Sequence, residues 1–427
     1  MPRELLESPH VIVITSEYGS MRIGGVGTYT NMLVDYLRRG FARLHVVEIP
    51  NSNRDPVSVR EGPLGERILR APYPRFQTRL DIDYDPKLEA LYRLLPMDEP
   101  LLIFGNDSYG TYVGERIRAA ARNRACLVHV PHLFASLSHF NGYGGERFGE
   151  LLRTAPPRIL PFIQKDVEML SRADFVLFVS QYMLAYASQY LGGAPERYGI
   201  VGHYVEAPPV VKEHYSDEVR NVIFMGRLES LKGLHELFEH LEDVMRCLPR
   251  ATFHIYGMGS LRDVLKWRGR RFGDRLVWYG YRPREEVLRV LPEMDLAIIP
   301  SLCESFGYSA LEAMAAGVPL IASDVGGLGE LTAWLPEGLR LRTAVGGNPL
   351  FDDVKEIGIT LPREELVRVL TYAAAHPEVL AATGRQGAVL AREQHGAGNY
   401  TQRMDEFLDR TLQWLANGVP SKTTTGG

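Results

Sequence analysis

The sequence predicts an α/β protein built from two doubly wound domains that face each other across a cleft. Short apolar runs of buried-strand length alternate with amphipathic helical segments, a rhythm typical of parallel sheets covered by helices on both faces. The alternation stops at a polar stretch with a proline pair, residues 206–221, and then restarts. Two such series joined by a linker predict two domains.

Length and composition are those of a globular protein of two, or at most three, domains. The chain has 427 residues, of which 45% are hydrophobic, and its formal net charge is −4. That charge gives no general attraction to nucleic acid, so we expect no nucleic-acid partner. We also expect no membrane-spanning segment, because no apolar run approaches the ~20 residues of a membrane span.

Cysteine usage and the N-terminus indicate a cytoplasmic protein. Cys126, Cys247 and Cys303 lie far apart and form no C-x-x-C pair, which argues against a zinc site and against a disulfide framework. The first ten residues lack the apolar core of a signal peptide. We therefore expect a reducing compartment.

The first half of the chain, residues 1–205, begins with a buried strand at His10–Thr15 that runs into a glycine-rich loop. Gly24, Gly25 and Gly27 open the first helix there. The further predicted elements are a strand at 43–50, mostly loop at 51–99, a strand at 101–107, a helix at 109–124, a strand at 126–132, a surface loop at 138–150, a helix at 159–171, a strand at 175–180, another helix and a strand at 198–205.

The second half repeats the same alternation. Its predicted strands lie at 221–228, 252–257, 276–281, 295–300 and 318–323, with helices between them. A helical stretch at 364–392 and a last helix at 400–415 follow, and we expect the polar end, residues 417–427, to be a flexible tail.

Residues 301–330 form the segment around which the predicted site is organised. It is predicted as a turn, a helix at Tyr308–Ala316, a strand and a glycine loop. Ligands bind at the carboxyl ends of parallel strands, so Glu304 in the turn and Glu312 in the helix can face one crevice. The helix N-terminus would offer backbone N–H groups to oxygen or phosphate. Taken alone, Glu312 is equally well explained as a solvated helix residue. The loop glycines expected at the same crevice are Gly326, Gly327 and Gly329.

A second signal lies at residues 225–233, where Arg227 and Lys232 flank the entry to a helix after a strand. A diphosphate requires cations that survive desolvation; arginine supplies a forked clamp and lysine a point charge. The alternative is a pair of solvated surface cations.

The N-terminal glycine loop permits close backbone approach to a phosphate or a sugar, or is a plain strand–helix turn. Thr30 occupies the place of the third glycine of a dinucleotide fingerprint, so a nicotinamide site is not expected. His132 stands at the end of a strand, where functional residues gather, although a structural histidine is the default interpretation. Its spacing from His129 and His139 is not that of a metal site.

These motifs together resemble the retaining GT-B glycosyltransferases of family 4, which pass a sugar from a nucleotide sugar to an acceptor. The resemblance is carried by Glu304 with Glu312, the pair Phe306–Gly307, the run 312–323, the segment 226–233 and the loop 24–29. It implies two Rossmann-like domains: residues 1–205 on the acceptor side and residues 206–397 on the nucleotide-sugar side. It further implies that a C-terminal helix, 398–416, crosses back to the first domain.

The resemblance also implies roles for individual residues. Arg227 and Lys232 match the pair that holds the donor diphosphate, Glu304 matches a carboxylate near the donor sugar, and His132 matches a histidine near the transferred sugar. Glu312 matches the carboxylate that accepts hydrogen bonds from the ribose. The other donor-binding matches are the amides of Phe306, Gly307 and Tyr308, the base-side loop residues Tyr281 and Arg282, and the closing loop residues Gly25 and Gly27.

The implied activity is retaining transfer of a sugar from a nucleotide diphosphate sugar to an acceptor hydroxyl or other nucleophile, without cofactor or metal. The alternatives are a sugar-nucleotide epimerase, a phosphorylase, or a non-catalytic sugar-nucleotide-binding protein. Two departures from the family pattern are residues 202–205 at the domain junction and Tyr308 after Phe306–Gly307. The sequence leaves the base, the sugar, the acceptor and the oligomeric state open.

The acceptor surface is expected in the first domain, near residues 142–147 and the helix that carries a cluster of arginines. The clustered arginines are Arg116, Arg118, Arg122 and Arg124. They could meet an anionic acceptor, or a membrane surface without spanning it.

Overall fold

The computed structural model describes residues 9–18, 24–49, 56–62, 65–71, 86–134, 136, 160–188, 195–206, 208, 210–346 and 358–417. Its strands are β1 His10–Thr15, β2 Leu44–Glu48, β3 Ser58–Glu61, β4 Arg67–Arg70, β5 Leu101–Asn106, β6 Ala125–Val130, β7 Phe175–Phe178, β8 Tyr198–Ile200, β9 Asn221–Met225, β10 Thr252–Tyr256, β11 Leu276–Gly280, β12 Leu296–Ile299, β13 Leu320–Ser323, β14 Arg340–Leu341, β15 Ala344–Gly346 and β16 Gly358–Thr360.

The α-helices of the same residues are α1 Gly25–Gly40, α2 Pro86–Tyr92, α3 Asp107–Ala120, α4 Leu160–Arg172, α5 Gln181–Tyr186, α6 Leu234–Glu239, α7 Leu241–Cys247, α8 Arg262–Gly269, α9 Arg284–Val290, α10 Tyr308–Ala315, α11 Gly326–Leu331, α12 Arg363–Ala375, α13 Pro377–His395 and α14 Ala397–Asn417.

Two large, separate sheets confirm the predicted α/β fold class. The first has eight strands in the order β3-β4-β2-β1-β5-β6-β7-β8, and the second has six in the order β11-β10-β9-β12-β13-β14. All pairs in both are parallel except β3 with β4. Strands such as β5 and β6 are buried at every residue, which explains why their sequences are continuous apolar runs rather than alternating ones.

Each of these sheets has a point at which the strand order reverses. In the first sheet β1 lies between β2 and β5, and in the second β9 lies between β10 and β12. Successive crossovers from such a strand leave in opposite directions, which opens a crevice at its carboxyl end. The loop after Thr15 and the loop after Met225 are therefore the places where this topology favours a ligand.

The described residues between Ile200 and Asn221 form neither helix nor strand. The last helix, α14, follows the second series but packs on the first sheet. Phe407 contacts Phe175 with ring centroids 6.0 Å apart, and Arg410 Nη2 donates to the Tyr198 carbonyl at 3.2 Å. The chain thus returns to its first half at its end.

The structure corrects two predictions about local structure. Residues 51–99, predicted as mostly loop, contain β3, β4 and α2. The strands were missed because they are short and arginine-rich, and β3 is an exposed edge strand held by pairing with β4. The helical stretch predicted at 364–392 is two helices, α12 and α13, which meet at His376 before Pro377.

All three cysteines are free thiols. No α-helix in the described part of the chain is both long enough and apolar enough to pass through a bilayer.

Candidate functional site

A cleft of about 880 Å³ lies between the two sheets, at the carboxyl ends of their strands. Every residue predicted for the donor site lines it except Gly27. The Gly27 amide instead donates to Glu17 Oε2 at 3.1 Å, which fastens the start of α1 to the preceding loop. The structure therefore brings residues from many separate segments to one place, although they span positions 24 to 312.

The turn after β9 places Arg227 and Lys232 at this cleft. Gly233 closes the turn in the left-handed region, with φ of 66°. A β-carbon there would lie 1.8 Å from the Pro300 carbonyl oxygen, so only glycine lets this turn lie against the end of β12. Arg227 is exposed, and no described residue forms a hydrogen bond or ion pair with its side chain.

Lys232 and Glu304 form an ion pair through Lys232 Nζ and Glu304 Oε1. Ser301 Oγ donates to the same carboxylate oxygen at 3.0 Å. The pair fixes the lysine at the cleft and offsets its charge. Of the two cations in the predicted diphosphate clamp, Arg227 is therefore the one whose charge no described residue offsets.

Helix α10 begins at the same cleft. Its N-cap is Gly307, with φ of 97°, and no described side chain caps the helix. Phe306, Gly307 and Tyr308 line the cleft, so the amides of the first helical turn are available to an anion or to a hydroxyl.

The prediction that Gly326, Gly327 and Gly329 form a loop facing the crevice is wrong. They belong to α11, which supports the Glu304 turn. The Gly327 amide donates to the Glu304 carbonyl at 2.9 Å, and a β-carbon at Gly326 would lie 2.2 Å from that carbonyl oxygen. Backbone packing this close requires glycine. The glycines therefore serve packing against the Glu304 turn, although their spacing is also typical of a ligand-binding loop.

Glu312 is buried and forms an ion pair that the sequence did not reveal. Arg284 Nε lies 2.5 Å from Glu312 Oε1, and Arg284 Nη2 donates to the Tyr308 hydroxyl at 3.1 Å. Burial raises the pKa of Glu312, and the charge of Arg284 opposes that shift. The one available signal was the position of Arg284, two residues beyond the predicted base-side pair of Tyr281 and Arg282.

Tyr281 and Arg282 follow β11 and line the rim of the cleft. Tyr281 is 54% exposed, which is unusual for a large aromatic side chain and leaves its ring accessible to a planar group.

His132 follows β6, as predicted. Its Nε2 atom is 3.4 Å from Asn106 Oδ1, and its ring lies edge-on to Tyr29 with centroids 4.9 Å apart. Burial lowers the pKa of His132 to about 4, so the imidazole is neutral near pH 7. His129, by contrast, faces inward, where Nδ1 lies 2.5 Å from Thr111 Oγ1.

A second cleft histidine, His203, was not predicted. It lies in the junction segment that departs from the family pattern, and its ring packs 4.6 Å from Phe306 and 5.3 Å from Tyr29, measured between centroids. It is 5% exposed, and its Nδ1 atom has no hydrogen-bond partner among the described residues. Burial lowers the pKa of His203 to about 3. Only the folded chain brings it beside Phe306.

On the acceptor side, the predicted loop at 142–147 lies outside the described residues. The arginine cluster of the first domain is occupied by internal contacts: Arg118 pairs with Asp174 at 2.7 Å and Arg122 with Asp98 at 3.0 Å. Arg116 donates to the Tyr112 hydroxyl at 3.1 Å. Arg124 donates to the Ala416 carbonyl. Two of the four arginines are thus paired with carboxylates, and the role of the cluster in binding an acceptor stays a prediction.

No group of three or more histidine, cysteine or acidic residues that could hold a metal ion occurs within the described ranges.

Comparison with known proteins gives matches to two family models. One, described as glycosyl transferases group 1, matches residues 211–334, and the other, described as a glycosyl transferase 4-like domain, matches residues 24–202. A glycogen synthase of Mycobacterium tuberculosis is 40% identical over 111 residues, which cover 26% of this chain and 27% of that enzyme. The chain thus matches about a quarter of the length of this curated relative.

Solved structures share the fold over nearly the whole chain. Sucrose-phosphate synthase from Thermosynechococcus elongatus has a TM-score of 0.68 at 18% identity, covering 95% of this chain and 99% of that one. Anabaena HepE, solved with UDP and glucose, has a TM-score of 0.67 at 18% identity, covering 94% and 99%. Likeness at this level of identity establishes the two-domain GT-B fold.

Proposed function

The chain belongs to the GT-B glycosyltransferases of family 4, the group 1 glycosyl transferases, and on that premise we propose that it is a retaining enzyme. Its donor is a nucleotide diphosphate sugar, and its acceptor is a hydroxyl or another nucleophile. The observation that carries the proposal is the convergence of Arg227, Lys232 and the uncapped N-terminus of α10 on one cleft.

This convergence suits a departing diphosphate. The glycosidic bond breaks with its electron pair on a phosphate oxygen, so negative charge grows on that group during transfer. Lys232, which Glu304 holds, and the amides at Gly307 and Tyr308 are donors held in place before the reaction, and such donors stabilise developing charge without reorganising. Arg227 adds a positive charge that no described residue pairs with.

In the proposed step, the acceptor oxygen attacks the anomeric carbon from the face that the phosphate leaves. The bond from the anomeric carbon to the phosphate oxygen breaks as the new glycosidic bond forms. The departing phosphate oxygen accepts the proton of the acceptor hydroxyl, so no protein base is required. The configuration at the anomeric carbon is retained.

The other predicted residues take supporting roles in this proposal. Glu304 hydrogen-bonds the donor sugar while it holds Lys232, and Glu312 accepts from the ribose. Tyr281 and Arg282 lie beside the base. His132 is neutral at pH 7 and serves as a hydrogen-bonding partner of the transferred sugar, not as a proton donor, because burial lowers its pKa to about 4.

We propose that transfer needs no bound metal, because the cations of the protein itself carry the diphosphate charge. Transfer measured in EDTA is then equal to transfer measured with added Mg²⁺ or Mn²⁺. Loss of transfer in EDTA, with recovery on adding a metal, would contradict this part of the proposal.

Thermal unfolding with UDP, GDP and ADP tests the donor class. A ligand that binds the folded chain raises the melting temperature by an amount set by its affinity, so the base that is recognised gives the largest shift. UDP is tried first because HepE was solved with it. The matching nucleotide glucose donor is then incubated with the enzyme and water or glycerol, and NMR assigns the anomeric configuration of the product.

Each alternative activity gives its own result in this assay. A phosphorylase releases sugar phosphate only when inorganic phosphate is added, and an epimerase changes the donor with no acceptor present. A binding protein shows the thermal shift without turnover. Inverted product, or no shift with any of the three nucleotides, would overturn the proposed function.

A further inference from the structure

Arg284 bridges two residues of helix α10 that contact the same cleft. Tyr308 and Glu312 are four residues apart and lie on one face of the helix. The guanidinium reaches both from α9: Nε lies 2.5 Å from Glu312 Oε1, and Nη2 donates to the Tyr308 hydroxyl at 3.1 Å. All three side chains line the cleft.

This arrangement leaves one hydrogen-bond donor and one hydrogen-bond acceptor that no described residue engages. An arginine side chain has five N–H donors in a planar fork, and the described contacts of Arg284 engage Nε and Nη2 but not Nη1. Glu312 Oε1 is engaged, whereas no described residue donates to Oε2. An N–H donor and a carboxylate oxygen that no described residue engages therefore belong to one ion pair, and both of its residues line the cleft.

Arg284 also counteracts the effect of burial on the pKa of the Glu312 carboxyl group. Glu312 is almost fully enclosed, and burial alone raises the pKa of a carboxyl group. The positive charge of Arg284 and its hydrogen bond to the carboxylate oppose this shift. Without the arginine, a buried glutamate would tend towards its protonated form, which is a poorer acceptor.

A vicinal diol is a ligand that can use one hydrogen-bond donor and one acceptor of the same ion pair. Each hydroxyl both donates and accepts, so the 3′-hydroxyl of a ribose can give its hydrogen to Glu312 Oε2 while the 2′-hydroxyl accepts from Arg284 Nη1. A carboxylate without the guanidinium could only accept. The base-side residue Tyr281 lies three residues before Arg284, which places a nucleobase contact and this pair close together along the chain.

We propose that Arg284 is a substrate-binding residue that, together with Glu312, recognises the two ribose hydroxyls of the donor, and that Tyr308 positions its guanidinium. The inference rests on the proposed function, since it requires that a nucleoside diphosphate occupies the cleft. It adds a specificity for ribonucleotides over their deoxy forms. The protein would read the ribose through a hydrogen-bond donor, Arg284, as well as through a hydrogen-bond acceptor, Glu312.

The test compares UDP, GDP and ADP with dUDP, dGDP and dADP by calorimetric titration. Wild-type protein is expected to bind the preferred ribonucleotide about tenfold or more tightly than its 2′-deoxy form, the effect of one charge-assisted hydrogen bond. In Arg284→Met the ratio falls to below about threefold, mainly because the ribonucleotide binds more weakly. Tyr308→Phe, which frees Nη2, lowers the ratio to an intermediate value.

Two further variants separate direct contact from a merely structural role. Arg284→Lys keeps a positive charge beside Glu312 but loses the planar fork of N–H donors, so the ratio is still expected to fall. Arg289→Met removes an exposed arginine from the same helix and leaves the ratio unchanged.

An unchanged ratio in Arg284→Met, with wild-type binding intact, would overturn this inference and leave the proposed function standing. Full restoration of the ratio by Arg284→Lys would show that only charge matters and would also overturn the direct contact. If wild-type protein bound none of the six nucleotides, the proposed function would fail and this inference with it.

Discussion

Gly24 and Arg227 face each other across the cleft, and a β-carbon at Gly24 would lie 3.9 Å from Arg227 Nε. Gly24 lies in the segment between β1 and α1, and Arg227 is the second residue after the end of β9. Strands β1 and β9 are those at which the two sheets reverse their order. The carboxyl ends of β1 and β9, where the sheet topology favours a ligand, are thus close enough for their loops to contact each other. In the proposed function, a nucleotide sugar bound here would contact Gly24 on one side and the Arg227 guanidinium on the other.

Arg227→Ala and Lys232→Ala are each expected to lower the rate of transfer at least about a hundredfold, the typical effect of removing one fixed donor from a developing negative charge. Far-UV circular dichroism and the melting temperature should stay close to those of the wild type, because both side chains lie at a cleft. Arg289→Ala, an exposed arginine on α9, is the matched control. Normal turnover by both cleft variants would remove the basis of the mechanism.

Glu304→Gln is expected to strengthen binding of the nucleoside diphosphate and, at the same time, to lower the rate of sugar transfer. The new amide can still accept from Ser301 but no longer offsets the charge of Lys232, so the cleft becomes more positive and binds UDP or the preferred diphosphate more tightly, by about threefold to tenfold. Transfer falls, because the carboxylate contact to the sugar is lost. Calorimetry and initial rates measure the two effects. Asp324→Asn, an exposed carboxylate paired with Arg340, should change neither.

Gly233→Ala should lower the free energy of unfolding by about 2 kcal/mol or more. Its φ of 66° disfavours a side chain, and the new β-carbon would lie 1.8 Å from the Pro300 carbonyl oxygen. Gly25→Ala is the control, since nothing lies within 4 Å of its β-carbon and the residue begins a helix. Urea unfolding followed by circular dichroism compares the two. Equal stability of both variants would mean that the turn is not held against β12.

His203 makes the stability of the fold depend on pH. Burial, helped by His132 and His395, lowers its pKa from 6.5 to about 3. Because the unfolded chain binds a proton more readily, unfolding takes up a proton between about pH 3 and 6.5, and stability falls as pH falls through that window. At pH 7.5 the histidine is neutral in both states and contributes no such dependence.

Between pH 7.5 and 5.0, the free energy of unfolding should therefore fall less in His203→Phe than in the wild type. The two decreases should differ by about 2 kcal/mol. Phenylalanine fits the surrounding rings of Tyr29, Phe306 and Tyr308 and also removes the Nδ1 atom that no described residue satisfies. Chemical unfolding at the two pH values gives the difference. Identical losses in both proteins would show that His203 is not held neutral by its surroundings.

Much of the fold could be predicted from local pattern. The central strands are continuous apolar runs, and helix α10 has its apolar spacing and a glycine at each end, so its predicted bounds differ from the observed ones by a single residue. The predictions failed where an element depends on a distant partner. Strands β3 and β4 carry arginines and are held by pairing with each other and, through β4, with β2, and the glycines of α11 are explained by contact with the Glu304 turn.

By itself, the sequence determined the order of strands and helices and the residue types at the strand ends, because these follow from periodicity and backbone preference within short windows. Only the tertiary structure decided which charges meet. Lys232 pairs with Glu304 across 72 residues and Arg284 with Glu312 across 28. The strength of a charge–charge interaction depends on distance and on burial in space, and neither quantity is encoded in local spacing along the chain.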